Sequence, residues 1–83
     1  MNEVMKKVLQ YFASQEKLGI SPLNTPEIVD GTMLRRDLVK KAIYACYQRG
    51  YINMMKRKPC AHYKITQQGL DELLIEELKN GKM

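Results

Sequence analysis

Val39-Lys40-Lys41-Ala42-Ile43-Tyr44-Ala45-Cys46-Tyr47-Gln48-Arg49-Gly50-Tyr51-Ile52 is the stretch that decides how this chain folds. Val39, Ala42, Ile43 and Cys46 recur at the spacing that sets side chains on one stripe of a helix, while Arg36, Asp37, Lys40, Lys41 and Tyr44 gather on the other side. Gly50 suits the left-handed turn that ends a helix, and Tyr51-Ile52 continues in β-forming types. The spacing therefore predicts one helix over 33–49, apolar on one face and cationic on the other, handed directly to a strand.

Upstream, Val4, Met5, Val8, Leu9 and Phe12 repeat at helical spacing with Lys6, Lys7 and Gln10 turned outward, which predicts a helix over 2–17 closed by Gly19. Ser21 precedes a proline and is pushed out of the helical region, so 20–24 reads as an extended connector whose Ile20 and Leu23 plug the core. Thr25-Pro26-Glu27 has the marks of a helix start: a Thr that can cap, a Pro whose missing N–H costs nothing there, and an acid at the positive end of the dipole. Ile28 and Val29 are its expected buried residues. Asp30-Gly31-Thr32 is expected to end this helix, limiting it to 25–30, with Met33 or Leu34 opening the next. A short helix, a Gly-containing turn and a longer amphipathic helix is the order of a helix-turn-helix.

Downstream, Tyr51–Met55 and His62–Thr66 are β-compatible and flank Lys56-Arg57-Lys58-Pro59-Cys60-Ala61, predicting a two-stranded hairpin over 51–66 with three cations at its tip. Alternation puts Tyr63 and Ile65 on one face and His62, Lys64 and Thr66 on the other. Thr66 can cap a last helix over 67–80, with Leu70, Leu73, Leu74 and Leu78 as its stripe and Ile75 as added apolar surface.

The 83 residues predict a single α+β domain over 1–83, with three N-terminal helices, the hairpin and a C-terminal helix. Charge is unevenly placed. Residues 1–32 carry net −1, residues 33–64 net +8 and residues 65–83 net −2, so the excess of +5 sits in the middle segment, the footprint of a polyanion-binding surface. No apolar run approaches the roughly 20 residues of a membrane span, and the start MNEVMKKVLQYF has no signal-peptide pattern, which predicts a cytoplasmic protein. Cys46 falls on the buried stripe, and Cys60-x-His62 lacks the four ligands of a structural zinc site, so no metal or cofactor is expected. With no acid pair, nucleophile elbow or phosphate loop, no enzyme and no catalytic residue is expected.

The pattern V-x-x-A-I-x-x-C-x-x-x-G-Y-I over Val39–Ile52 resembles the recognition helix and first wing strand of winged helix-turn-helix DNA-binding domains. His62-Tyr-Lys-Ile-Thr-Gln-Gln-Gly-Leu70 is similar to the Y-x-L-T-x-x-G pattern with which many such regulators, of the small MarR/PadR-like type, leave the wing. The resemblance runs over about residues 4–78. It implies sequence-specific binding of double-stranded DNA by a small transcriptional regulator, with Arg35, Arg36, Asp37, Lys40, Lys41 and Tyr44 facing the major groove and Lys56, Arg57 and Lys58 on the backbone. Arg36 is the expected guanine reader, and Asp37 is expected to hold Arg36 or Lys41. A homodimer joined through the first or last helix is also implied, with no membrane partner and no small-molecule ligand. An adaptor that packs its third helix on protein, or an RNA-binding protein, is the alternative.

Overall fold

Asn2 opens the first helix by accepting the Met5 N–H at 2.8 Å. The computed structural model describes residues 1–81, in the order α1 (Glu3–Lys17), β1 (Leu23–Asn24), α2 (Thr25–Thr32), α3 (Arg36–Gln48), β2 (Ile52–Met55), β3 (His62–Ile65) and α4 (Gln67–Gly81). α1 and α3 end in the same way. Past each helix a glycine at φ +78°, Gly19 or Gly50, adopts the left-handed conformation. The next residue donates back five positions, Ile20 to the Gln15 carbonyl and Tyr51 to the Cys46 carbonyl, both at 2.9 Å.

The short second helix departs from expectation at both ends. Its cap is Asn24, not Thr25: the Asn24 side chain accepts the Glu27 N–H, and the Glu27 carboxylate accepts the Asn24 N–H, both at 2.9 Å, a reciprocal capping box. Gly31 does not break it. A Cβ at Gly31 would collide with the Tyr11 ring, so this glycine lets α2 cross close to α1, and the helix runs on to Thr32. Met33 then stops it in the left-handed region at φ 60°, and α3 begins at Arg36 rather than 33 or 34.

The sheet has three antiparallel strands in the order β1-β3-β2, where the sequence suggested only a hairpin. Leu23 pairs with Tyr63 and Asn24 with His62 on one side of β3, and Ile52 pairs with Ile65 and Met54 with Tyr63 on the other. Residues directly opposite share a face. Leu23, Ile52 and Ile65 therefore point together into the core. That core is one cluster to which every element contributes: Met5, Val8, Leu9 and Phe12 from α1, Ile28 from α2, Val39, Ala42, Ile43 and Cys46 from α3, and Leu73 from α4 complete it.

One apolar expectation fails. Ile20 is half exposed instead of plugging the core, because the turn after α1 turns it outward. Of the leucines and isoleucine on α4, Leu73 is buried and Leu70 partly so, while Leu74, Ile75 and Leu78 stand 56%, 46% and 65% exposed. α1 covers one narrow line of α4, and the rest of its leucine stripe is uncovered.

Thr66 caps α4 and fastens it to the end of α3. Its Oγ accepts the Gly69 N–H at 3.0 Å and donates to the Gly50 carbonyl at 2.7 Å, while Gln68 donates to the Arg49 carbonyl at 3.0 Å. Gly69 is where the first turn of α4 lies on the backbone of Tyr51: a Cβ there would collide with the Tyr51 carbonyl oxygen and stand 2.9 Å from Ile65 Cγ1. Gly69→Ala is accordingly expected to cost about 1–3 kcal/mol through overpacking. That would lower the melting temperature by roughly 4–8 °C per kcal/mol in a domain of this size. An unchanged melt would mean that α4 moves aside freely.

Candidate nucleic-acid interface

α3 is amphipathic, and burial of Val39, Ala42, Ile43 and Cys46 fixes its rotation. With that stripe against the core, Arg35, Arg36, Asp37, Lys40, Lys41 and Tyr44 are all exposed, as are Lys56, Arg57 and Lys58 in the loop between β2 and β3. None is used to build the fold.

They do not form one ridge. Arg36, Lys40, Tyr44 and Tyr47 follow one another at i, i+4, i+8 and i+11 and lie on the α3 flank next to the hairpin, where the last three line a groove with Met54 of β2 and Tyr63 of β3. Lys41 lies on the other flank, beside Leu38 and Ala45 and facing Asn2 and Met5 at the start of α1. Asp37 sits between these flanks and pairs with Arg35 at 3.2 Å, not with Arg36 or Lys41. Both partners are more than half exposed, so the pair contributes little stability.

The basic middle segment is divided further. Lys64, on the face of β3 away from the core, pairs with Glu16 of α1 at 3.7 Å. Arg49 turns back to donate to the Ala45 carbonyl at the end of α3. Arg36 and Lys40 lie on the α3 flank that forms the helix wall, and Lys56, Arg57 and Lys58 are in the loop that follows Met55 directly. No salt bridge engages these five among the described residues.

The groove itself has a volume of about 280 Å³. Met54 and Tyr63, opposite each other in the register, extend the core face of the sheet past the point where helices cover it. Tyr44 and Tyr47, 63% and 45% exposed, form the helix wall, and Ile43 is the floor. Tyr44 is held by Gln48, whose amide donates to its hydroxyl at 2.9 Å. Tyr47 is thus a wall of the same groove as Tyr44. Sequence reasoning missed Tyr47, Met54 and Tyr63 as surface residues. The available signal was that Met54 and Tyr63 extend the inward face of the hairpin beyond Ile52 and Ile65.

Among the described residues no three His, Cys, Asp or Glu side chains are grouped to hold a metal ion. The Cys46 thiol is fully buried, and burial pushes its pKa up to about 11, which keeps it protonated and unreactive at neutral pH. His62 Nδ1 lies 3.1 Å from the Cys60 carbonyl within the hairpin loop. No helix in the described residues is long and apolar enough to cross a membrane.

No protein-family model matches the sequence, and no curated protein matches it. Solved structures do. A provisionally named DNA-binding protein from Ralstonia eutropha JMP134 superposes with a TM-score of 0.73 at 15% identity, over 92% of this chain and 96% of that one. The Rio2 kinase from Chaetomium thermophilum, in its ADP, Mg2+ and phosphoaspartate complex, aligns with 99% of this chain at a TM-score of 0.83 and 24% identity. This chain spans only 24% of that kinase. AF1382 from Archaeoglobus fulgidus aligns over 94% of this chain and 85% of its own, with a TM-score of 0.71 and 11% identity. What these proteins share with the chain is a fold.

Proposed function

We propose that this chain is a winged helix-turn-helix protein that binds double-stranded DNA sequence-specifically as a small transcriptional regulator. In this reading α3 enters the major groove and the β2–β3 hairpin is the wing, resting on the adjacent backbone. The observation that carries it is the placement of Arg36 and Lys40 on the exposed α3 flank nearest a hairpin with Lys56, Arg57 and Lys58 at its tip, with none of the five in a salt bridge among the described residues. Likeness of fold to a protein provisionally described as DNA-binding adds support. Arg36 is assigned paired hydrogen bonds to a guanine, worth about 1–3 kcal/mol of base discrimination, and the lysines the neutralisation of phosphates. Asp37 is assigned the orientation of Arg35, its observed partner.

The exposed Leu74, Ile75 and Leu78 on α4 supply the surface for a homodimer, which would read a site with dyad symmetry. The assignment is to a binding protein with no catalytic step, located in the cytoplasm. Selection of bound duplexes from a random DNA pool at moderate salt, with random RNA as competitor, tests it: the expected product is a consensus with two-fold symmetry. Arg36→Ala with Lys40→Ala should lose that consensus while leaving the melt nearly unchanged. A pool with no enriched sequence, or protein taken up wholly by the RNA, would overturn the assignment.

A further inference from the structure

The groove between α3 and the hairpin is the feature that duplex binding leaves unexplained. Flat major-groove contact calls for polar side chains, yet the wall beside Lys40 is built from Tyr44, Tyr47, Met54 and Tyr63, with the two helix tyrosines 63% and 45% exposed. Aromatic rings left in water beside a cationic edge are placed for a flat, apolar ring that carries negative charge close by.

We propose that this groove takes one unpaired base of a DNA strand, stacked against the Tyr44 and Tyr47 rings, while Lys40 and the hairpin cations hold the phosphates on either side. The proposal rests on the DNA-binding reading above and adds what part of the DNA the groove receives. Charge complementarity selects a nucleotide over an apolar peptide as occupant. No carboxylate lines the groove, Lys40 stands at its wall, and Lys56, Arg57 and Lys58 follow Met55 at the neighbouring end of β2. The volume of about 280 Å³ accommodates a single base with part of its sugar, and its open mouth allows the strand to pass. Tyr44 is also pre-set. Because Gln48 donates to its hydroxyl, the hydroxyl proton remains available to the edge of a bound base. Stacking of this kind tolerates any base, so the groove senses whether a nucleotide is unpaired more than which nucleotide it is.

The test uses the full chain and one short DNA duplex in three forms: fully paired, with a single bulged adenine, and with an abasic residue in the same bulge. Fluorescence anisotropy titrations at low salt are expected to give about tenfold tighter binding of the adenine bulge than of the abasic bulge, within the range that base–aromatic stacking supplies. Tyr47→Phe should retain that preference and Tyr47→Leu should abolish it, with both variants keeping wild-type affinity for the paired duplex. Should Tyr47→Leu fail to fold, Tyr44→Leu is read only as the ratio between the adenine and abasic bulges, which should fall to one, because Tyr44 also belongs to the helix face set against the paired duplex. Equal affinity of the wild type for the two bulges overturns the base site and leaves duplex binding standing. Loss of paired-duplex affinity in Tyr47→Leu also overturns it, by making the ring an ordinary duplex contact. Failure of the wild type to bind any of the three overturns the DNA-binding reading itself.

Discussion

Ile28→Ala should remove about 2–5 kcal/mol of stability, the range for a truncated core aliphatic. Ile28 is wholly buried, and it is the only fully buried residue of α2. α2 has eight residues, below the roughly 12–15 at which an isolated helix holds even marginally in water, so it depends on packing against the rest of the core, with Ile28 fully buried and Val29 partly buried beside it. The loss would be a large fraction of the roughly 5–15 kcal/mol that natural domains possess. Urea unfolding checks it: the midpoint should fall with the slope unchanged, and Ile28→Val should cost about 0.5–1.5 kcal/mol. A cost below about half a kcal/mol for the alanine variant would mean that α2 is not docked as described.

Replacing Lys56, Arg57 and Lys58 together with Ala should act on binding and hardly on folding. All three are exposed in the loop between β2 and β3, where the Arg57 guanidinium reaches Met55 Sδ at 3.9 Å. Each phosphate contact contributes about 0.9 to the slope of log affinity against log salt, so three lost contacts should flatten it by about 2.7. Affinity at low salt should fall steeply, and the difference from wild type should shrink as salt rises. The melt should stay within about 0.5 kcal/mol of wild type, as for surface substitutions away from structural features. An unaltered slope would remove the hairpin from the interface.

Much of this architecture could be read from the chain because its signals are local. The stripe of Val39, Ala42, Ile43 and Cys46 fixes the rotation of α3, and Gly19 and Gly50 mark left-handed turns that only a residue without a side chain adopts at no cost. Thr66 follows from the same logic as a cap, whereas the close approach of Gly69 to Tyr51 depends on a residue distant in sequence. The start of α2 was written in the sequence too, as Asn24-x-x-Glu27, but Thr25 next to Pro26 drew attention one residue too far along.

The remaining differences depend on partners distant in sequence. Gly31 resembles a helix breaker unless the Tyr11 ring is known to occupy the space of its missing Cβ. β1 has two residues, too few to show alternation, and exists because β3 offers it an edge. Lys40 and Lys41 looked equivalent as neighbours on a polar face, yet the core stripe separates them onto opposite flanks. The tyrosine groove brings Tyr44 and Tyr47 to Met54 and Tyr63 across two elements. No single periodicity reports it.

Asn24 belongs to two structures at once. Its backbone lies opposite His62 in the sheet, and its side chain closes the first turn of α2. His62 is also the first residue after the hairpin loop. Leu23 and Asn24 together join β3 to the first turn of α2, so strain in the hairpin loop has a short covalent and hydrogen-bonded route to that helix. Replacing Asn24 would remove the side-chain cap of α2 and leave the backbone pairing with His62 in place, loosening the start of the helix while the sheet stays joined.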